Sequence, residues 1–219
     1  LNKAFNRLIQ KLSGSRSKKI LWRIGDAQLN KIDFVSSYST DLIGEQEFLY
    51  VKFNEETLIP ELRKIGTPLI GFNRPVILIL FKIDTGESAP VYLGNGAQIN
   101  NLAVEIKQIF KNIAIERGVY LELPEFDLVD QNLLNQSNVL FSPSIYIQEK
   151  FYNDAFLEID LVRIGINQWS VNGDLKTISP LQEKEVIAFF QNAVHDFLDD
   201  FLEVKPLEPG ALGERVMVS

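Results

Sequence analysis

Glu122, Glu125, Asp127 and Asp130 place four carboxylates within nine residues around Pro124. Two carboxyl groups facing one cleft can hydrolyse a glycoside. One protonates the leaving oxygen while the other attacks or activates water, at separations of roughly 5 Å or roughly 6.5–9.5 Å. Clustered oxygens can also hold calcium, but this segment lacks the alternating ligand positions and turn glycine of an EF-hand loop. The competing expectation is a strand-to-helix connection in which Asp127 or Asp130 accepts the free amides of a helix start.

Other chemistry is thinner. His195 is the only histidine, beside Asp196. A general base needs a nucleophile and an orienting group, and no GxSxG elbow supplies a serine. The expected place for His195 is a helix surface or a half-buried position. The chain has no cysteine, which excludes disulfides, thiolate zinc sites and cysteine nucleophiles. Gly94-Asn95-Gly96 lacks the rest of a phosphate-binding loop and is expected to be an exposed turn. No residue is therefore assigned a catalytic, cofactor-binding or metal-ligating role, no cofactor is expected, and the chain is read as a non-enzyme.

Two charged patches and two tryptophans can mark contacts. Ser15, Arg16, Ser17, Lys18 and Lys19 form a basic patch able to touch anionic lipid or a partner, with a solvated loop as the simpler expectation. Asp196, Asp199, Asp200 and Glu203 sit at the end of the last helical stretch, where acids oppose the helix dipole. A cationic partner would relieve that, although solvation is expected. Trp22 and Trp169 can anchor an interface, and core packing is the commoner fate.

The elements that must carry these groups follow from composition and periodicity. At 46% hydrophobic and 23% charged, the 219 residues are ordinary for a globular fold and suffice for one large or two modest domains. The net charge of -7 argues against nucleic acid as a partner. The longest apolar run, Pro75 to Phe81, is about a third of a membrane span and reads as a buried strand.

Leu1, Phe5, Leu8, Ile9 and Leu12 predict an amphipathic helix ended by Ser13-Gly14, and a second helix is predicted over 17–31. Strands follow over 34–43 and 47–53, with Leu49, Val51 and Phe53 facing the core. Asn54 caps a helix over 55–65, closed by Gly66 and Pro68. After a joint over 69–73 come a strand to the Asp84-Thr85-Gly86 turn, a long helix over 99–117 capped by Gly118, and a short strand over 119–123. A helix near 144–151 and a hairpin over 155–166 and 168–175, turning around Asn167 or with a bulge at Gly165, precede a last helix over 181–203 opened by Pro180. The expected class is α+β (mixed α/β), two small mixed sheets with helices packed on them. The expected units are 1–72, a helix-strand-strand-helix unit; 73–205, an α/β unit; and 206–219, where Glu214 to Ser219 begins to alternate as a further strand or domain would. Leu1 is expected to follow upstream residues that were cleaved, trimmed or left unseen, which leaves a signal peptide undecided.

Several segments together resemble one family. Ala4-Phe5-Asn6-Arg7-Leu8-Ile9-Gln10-Lys11-Leu12-Ser13-Gly14 is similar to the opening helix of the bacterial domain of unknown function 2066 family. Val35 to Tyr38, Leu49 to Phe53, and Gly66-Thr67-Pro68-Leu69-Ile70-Gly71 continue the pattern, as does Arg74-Pro75-Val76-Ile77-Leu78. Ile70 stands where the family usually has a tryptophan. Glu116 to Leu121 with Pro124 and Asp127 to Asp130, then Asn153 to Leu157 with Gln168-Trp169, resemble its later blocks, without the hairpin glycine. The second unit also resembles the periplasmic domain type of the translocation protein TolB, the curli secretion lipoprotein and the flagellar T-ring protein. These resemblances imply a periplasmic or outer-membrane-associated protein of a Gram-negative bacterium, without a transmembrane span in this chain. Its implied partners are other envelope proteins in a multi-subunit, secretion- or flagellar-type complex. The family transfers no catalytic residue. A cell-wall or sugar hydrolase using the carboxylate cluster is the first alternative, and a small-ligand module between the units, near Gly71 to Arg74, is the second.

Overall fold

The computed structural model describes residues 1–43, 46–71, 73–94, 101–134 and 142–202. The α+β class expected from the sequence is present, as two sheets with helices packed on them. The smaller sheet is purely antiparallel and only the larger one is mixed.

Helix α1 (Asn2–Ser13) turns Phe5 and Ile9 inward. Helix α2 (Lys18–Asp26) starts where the Ser17 side chain accepts the Lys19 amide and buries Ile20 and Ile24. It ends well short of Lys31, because Gln28 adopts left-handed backbone (φ 52°) and a 3-10 turn occupies Lys31–Phe34. Strands β1 (Val35–Ile43) and β2 (Gln46–Phe53) form an antiparallel ribbon, and α3 (Glu55–Lys64) follows, capped by Asn54 through the Glu56 amide. Phe5, Ile9, Ile20, Ile24, Phe34, Leu58 and Leu62 form one core, with Phe53 packed against it. Only the base of the ribbon joins that core. The expected inward facing of Leu49 fails, since it is 51% exposed.

The larger sheet is centred on β3 (Val76–Asp84). On one side lies β6 (Ala155–Gly165), parallel to it. On the other, β5 (Tyr120–Glu122) pairs in parallel with the first residues of β3, and β4 (Val91–Tyr92) pairs antiparallel with its end. Strands β7 (Gln168–Gly173) and β8 (Leu181–Gln182) extend the sheet beyond β6. Because β5 and β6 flank β3 on opposite sides, right-handed crossovers send their connecting helices to opposite faces. Accordingly, α4 (Asn101–Arg117) and α7 (Glu183–Phe201) cover Ile77, Ile79, Phe81 and Ile83, while α6 (Pro143–Lys150) covers Leu78 and Leu80 through Ile147. Helix α5 (Leu128–Leu134) leads from β5 towards α6. Burial on both faces is why β3 reads as an unbroken apolar run.

Two local expectations change. Pro180 does not open the last helix: Leu181 and Gln182 pair with Trp169 and Gln168 as β8, and α7 begins at Glu183 with a Gln182–Glu185 capping box. Val91 and Tyr92 form β4 between the Asp84-Thr85-Gly86 turn and α4, where the sequence predicts no element. Among the described residues, no helix is long and apolar enough to cross a membrane. Residues 206–219, and Glu203 with Asn95 and Gly96, lie outside the described residues.

Candidate functional site

The two cores meet at the C-terminus of α1, where the last carbonyls of a helix need donors from outside it. Two of those donors come from the larger core's side and one from the segment after α3. The Ile70 amide donates to Leu12 O at 2.8 Å, Arg74 Nη1 to Lys11 O at 3.0 Å, and Arg117 Nε to Gly14 O at 2.7 Å. Two of the three are guanidinium groups, which also complement the negative end of the α1 dipole. Gly118 follows Arg117 in left-handed backbone (φ 65°), and a Cβ there would lie 2.7 Å from Lys11 O, so only glycine lets the helices approach this closely.

Arg117 is fully buried. Besides Gly14 it donates to Asp199 Oδ1 at 2.6 Å and to His195 O at 3.3 Å, and its Nη1 lies 3.1 Å from His195 Nδ1. Burial pushes its pKa down while Asp199 pulls it back up. Arg16, from the basic patch, reaches the same place, contacting Asp196 at 2.8 Å and Asp199 at 2.7 Å. The basic patch and the acidic helix end, both expected to be solvated, therefore bind each other through Arg16, Asp196 and Asp199. His195 is 6% exposed rather than half-buried or on the surface. A guanidinium N–H can only donate, so His195 Nδ1 accepts and the ring proton sits on Nε2, 3.9 Å from Glu116 Oε2. In that tautomer Nδ1 is occupied as an acceptor for Arg117 and Nε2 already carries its proton.

The carboxylate cluster resolves into caps. Asp127 Oδ1 accepts the amides of Val129 and Asp130, and Asp130 Oδ2 accepts the amide of Asp127. Fully buried Asp130 also accepts from Tyr146 at 2.7 Å and Lys150 at 2.6 Å. Hydrogen bonds from the Asp130 amide and Lys150 lower the Asp127 pKa. Burial raises that of Asp130, but its donors, led by Lys150, outweigh burial and leave it low. Glycoside hydrolysis needs one carboxyl held protonated near neutrality, the opposite perturbation. Lys150 is pushed up by the same contacts. Lys150→Met is expected to lower the urea midpoint by stranding a buried carboxylate, and the double variant with Asp130→Asn to recover part of the loss. Equal midpoints for the two variants would remove this account.

Glu122 and Glu125 stand elsewhere, on the rim of an open groove of about 860 Å³ between α4 and the outer edge of β5. Lys107 and Lys111, one turn apart on α4, line it with Lys11 and Arg74, so four cations meet two carboxylates in a chain of net charge -7. Phe110, Ala114 and Leu121 form its floor on the α4 side, and Tyr120 and Phe151 flank it on the other. Gly94, expected in an exposed turn, is buried at one end: a Cβ there would sit 2.5 Å from Pro124 O, and its own carbonyl accepts from Lys107 Nζ. Of the Gly71 to Arg74 joint, offered by the sequence only as an alternative ligand site, Arg74 alone lines this groove; Lys107 and Lys111 carried no signal, since their spacing on a helix also suits a solvated face.

Among the described residues, the β1–β2 ribbon carries a second uncovered surface. Its register pairs Tyr38 with Val51 and Thr40 with Leu49, which places these side chains on one face. Tyr38 is 76% exposed, and Leu42 on the same face is exposed as well. Of the two tryptophans, Trp169 is core as expected, while Trp22 is 66% exposed, contrary to expectation. Among the described residues no group of three or more potential ligands can hold a metal ion. No protein-family model, curated protein or solved structure matches the chain.

Proposed function

We propose that this chain is a non-enzymatic subunit of a larger cell-envelope assembly, periplasmic or outer-membrane-associated, working by contact rather than turnover. The observation that carries the reading is the ribbon face formed by Tyr38, Leu42 and Leu49. A two-stranded ribbon is marginal by itself, and an apolar face on it needs a surface to cover it. The absorption of Asp127, Asp130 and His195 into caps and buried hydrogen bonds supports the same reading, because it leaves them little to offer a substrate. The envelope location rests on the family resemblance of the sequence, and the secretion- or flagellar-type complex on the TolB-like pattern of the second unit.

The test is native size. In gently solubilised envelopes the chain is expected in a high-mass species, and Tyr38→Lys with Leu49→Lys is expected to return most of it to monomer. Both sites are exposed, so the thermal midpoint should hold. A wild-type chain that is monomeric under gentle extraction, or an assembly indifferent to both lysines, would count decisively against the proposal.

A further inference from the structure

We infer that the groove beside β5 is a docking site for an extended acidic peptide segment of a partner protein, which adds a strand to the sheet. The inference deepens the subunit reading but concerns a different surface from the ribbon.

Three observations converge. First, among the described residues β5 pairs with β3 alone, so its outer edge is open. Tyr120 N–H donates to Pro75 O. In a parallel ladder alternate residues address alternate sides, so Leu121 turns both its N–H and its C=O to the groove. Those are the groups that strand addition uses. Second, β5 is short, ending at Glu122 just before Pro124, which limits pairing to a few residues and leaves specificity to side chains. Third, those side chains are sorted by face. An added strand would send alternate residues towards Lys107 and Lys111 on α4, and the others towards Tyr120 and Phe151. Acidic residues suit the first set and apolar ones the second. Lys11 and Arg74 extend the positive end towards α1. An open groove of this shape fits a segment laid along it better than a compact molecule enclosed in it.

The probe is a fluorescein-labelled octapeptide alternating glutamate and valine, with a lysine–valine octapeptide as control, at low salt. The glutamate peptide is expected to bind and the control to fail. Lys11→Glu with Lys111→Glu, both exposed positions, should weaken binding about tenfold or more, from two lost attractions. N-methylation of alternate peptide residues should abolish it, and the Leu121 amide should gain protection from hydrogen exchange on binding. No binding of the glutamate peptide, or binding untouched by charge reversal, overturns the inference. So does free glutarate protecting Leu121 equally well, which would make the groove a small-anion site. If the peptide fails while the Tyr38 and Leu49 lysines still dissolve the native assembly, this inference falls and the subunit reading stands.

Discussion

Replacing Arg117 with methionine is expected to cost about 3–5 kcal/mol of folding stability, read as a shift in the urea midpoint at unchanged slope. The side chain is wholly buried, and methionine fills much of its volume, so packing loss is a minor part. What remains is orphaned acceptors. Gly14 O and His195 Nδ1 each lose their Arg117 donor, while His195 O, inside α7, keeps its helical amide partner. A buried acceptor left unpaired costs about 1–3 kcal/mol. Asp199 is cushioned, because it keeps Arg16. Asp199→Asn should therefore cost far less, about 1 kcal/mol, and the two losses should not add, since both belong to one network. Against a typical stability of about 5–15 kcal/mol, the arginine loss alone can unfold much of the chain near body temperature. Arg117→Lys should recover little, because an ammonium cannot span Gly14, His195 and Asp199 as the planar guanidinium does. An Arg117→Met chain within about 1 kcal/mol of wild type would show that the α1 C-terminus is held by packing instead.

The same junction explains what the sequence disclosed and what it withheld. Helix α1, the Asn54 cap, the buried run of β3 and the Asn167 turn were legible because each rests on signals within a few residues. Periodicity, a capping side chain, an apolar run and a left-handed asparagine are all local. The caps Asp127 and Asp130 were legible for the same reason. Lys150 and Tyr146, which complete that site, come from a different helix and carried no local mark. Arg16 and Asp199 were each visible as charge patches, but their pairing joins residues 183 positions apart. Periodicity cannot report a partner at that separation, so solvation was the natural expectation for both. Leu49 and Trp22 erred in the other direction. Their apolar character suggested burial, and the ribbon and α2 leave them exposed. Leu49 fails at the ribbon face that, on the subunit reading, a partner covers, whereas nothing in the structure accounts for the exposure of Trp22.

Acid should loosen the junction in two separate steps, of which His195 controls the first. Burial, then the nearby Arg16 charge, depress its pKa, and Arg117 adds to the depression, against the opposing pull of Glu116 and Asp199. Protonation would place a hydrogen on Nδ1, which now accepts from Arg117, turning an attraction into a clash of donors and of like charges. In the unfolded chain His195 titrates near the ordinary value of about 6.5, so just below that pH the unfolded state binds more protons than the folded one. Stability should be level above that pH and fall as pH drops beneath it, at up to about 1.4 kcal/mol per pH unit, until the folded state is also protonated. Asp199 follows in a lower window. Burial raises its pKa, but Arg16 and Arg117 more than offset this and hold it below the usual carboxylate value. Its contribution is present above that value and disappears as pH falls through the depressed pKa. His195→Gln, whose side-chain oxygen can still accept from Arg117, should flatten the upper window and leave the lower one intact. Urea midpoints measured from pH 8 to pH 3 separate the two. An unchanged slope in the glutamine variant between pH 6.5 and 5 would assign the acid sensitivity to groups outside this junction.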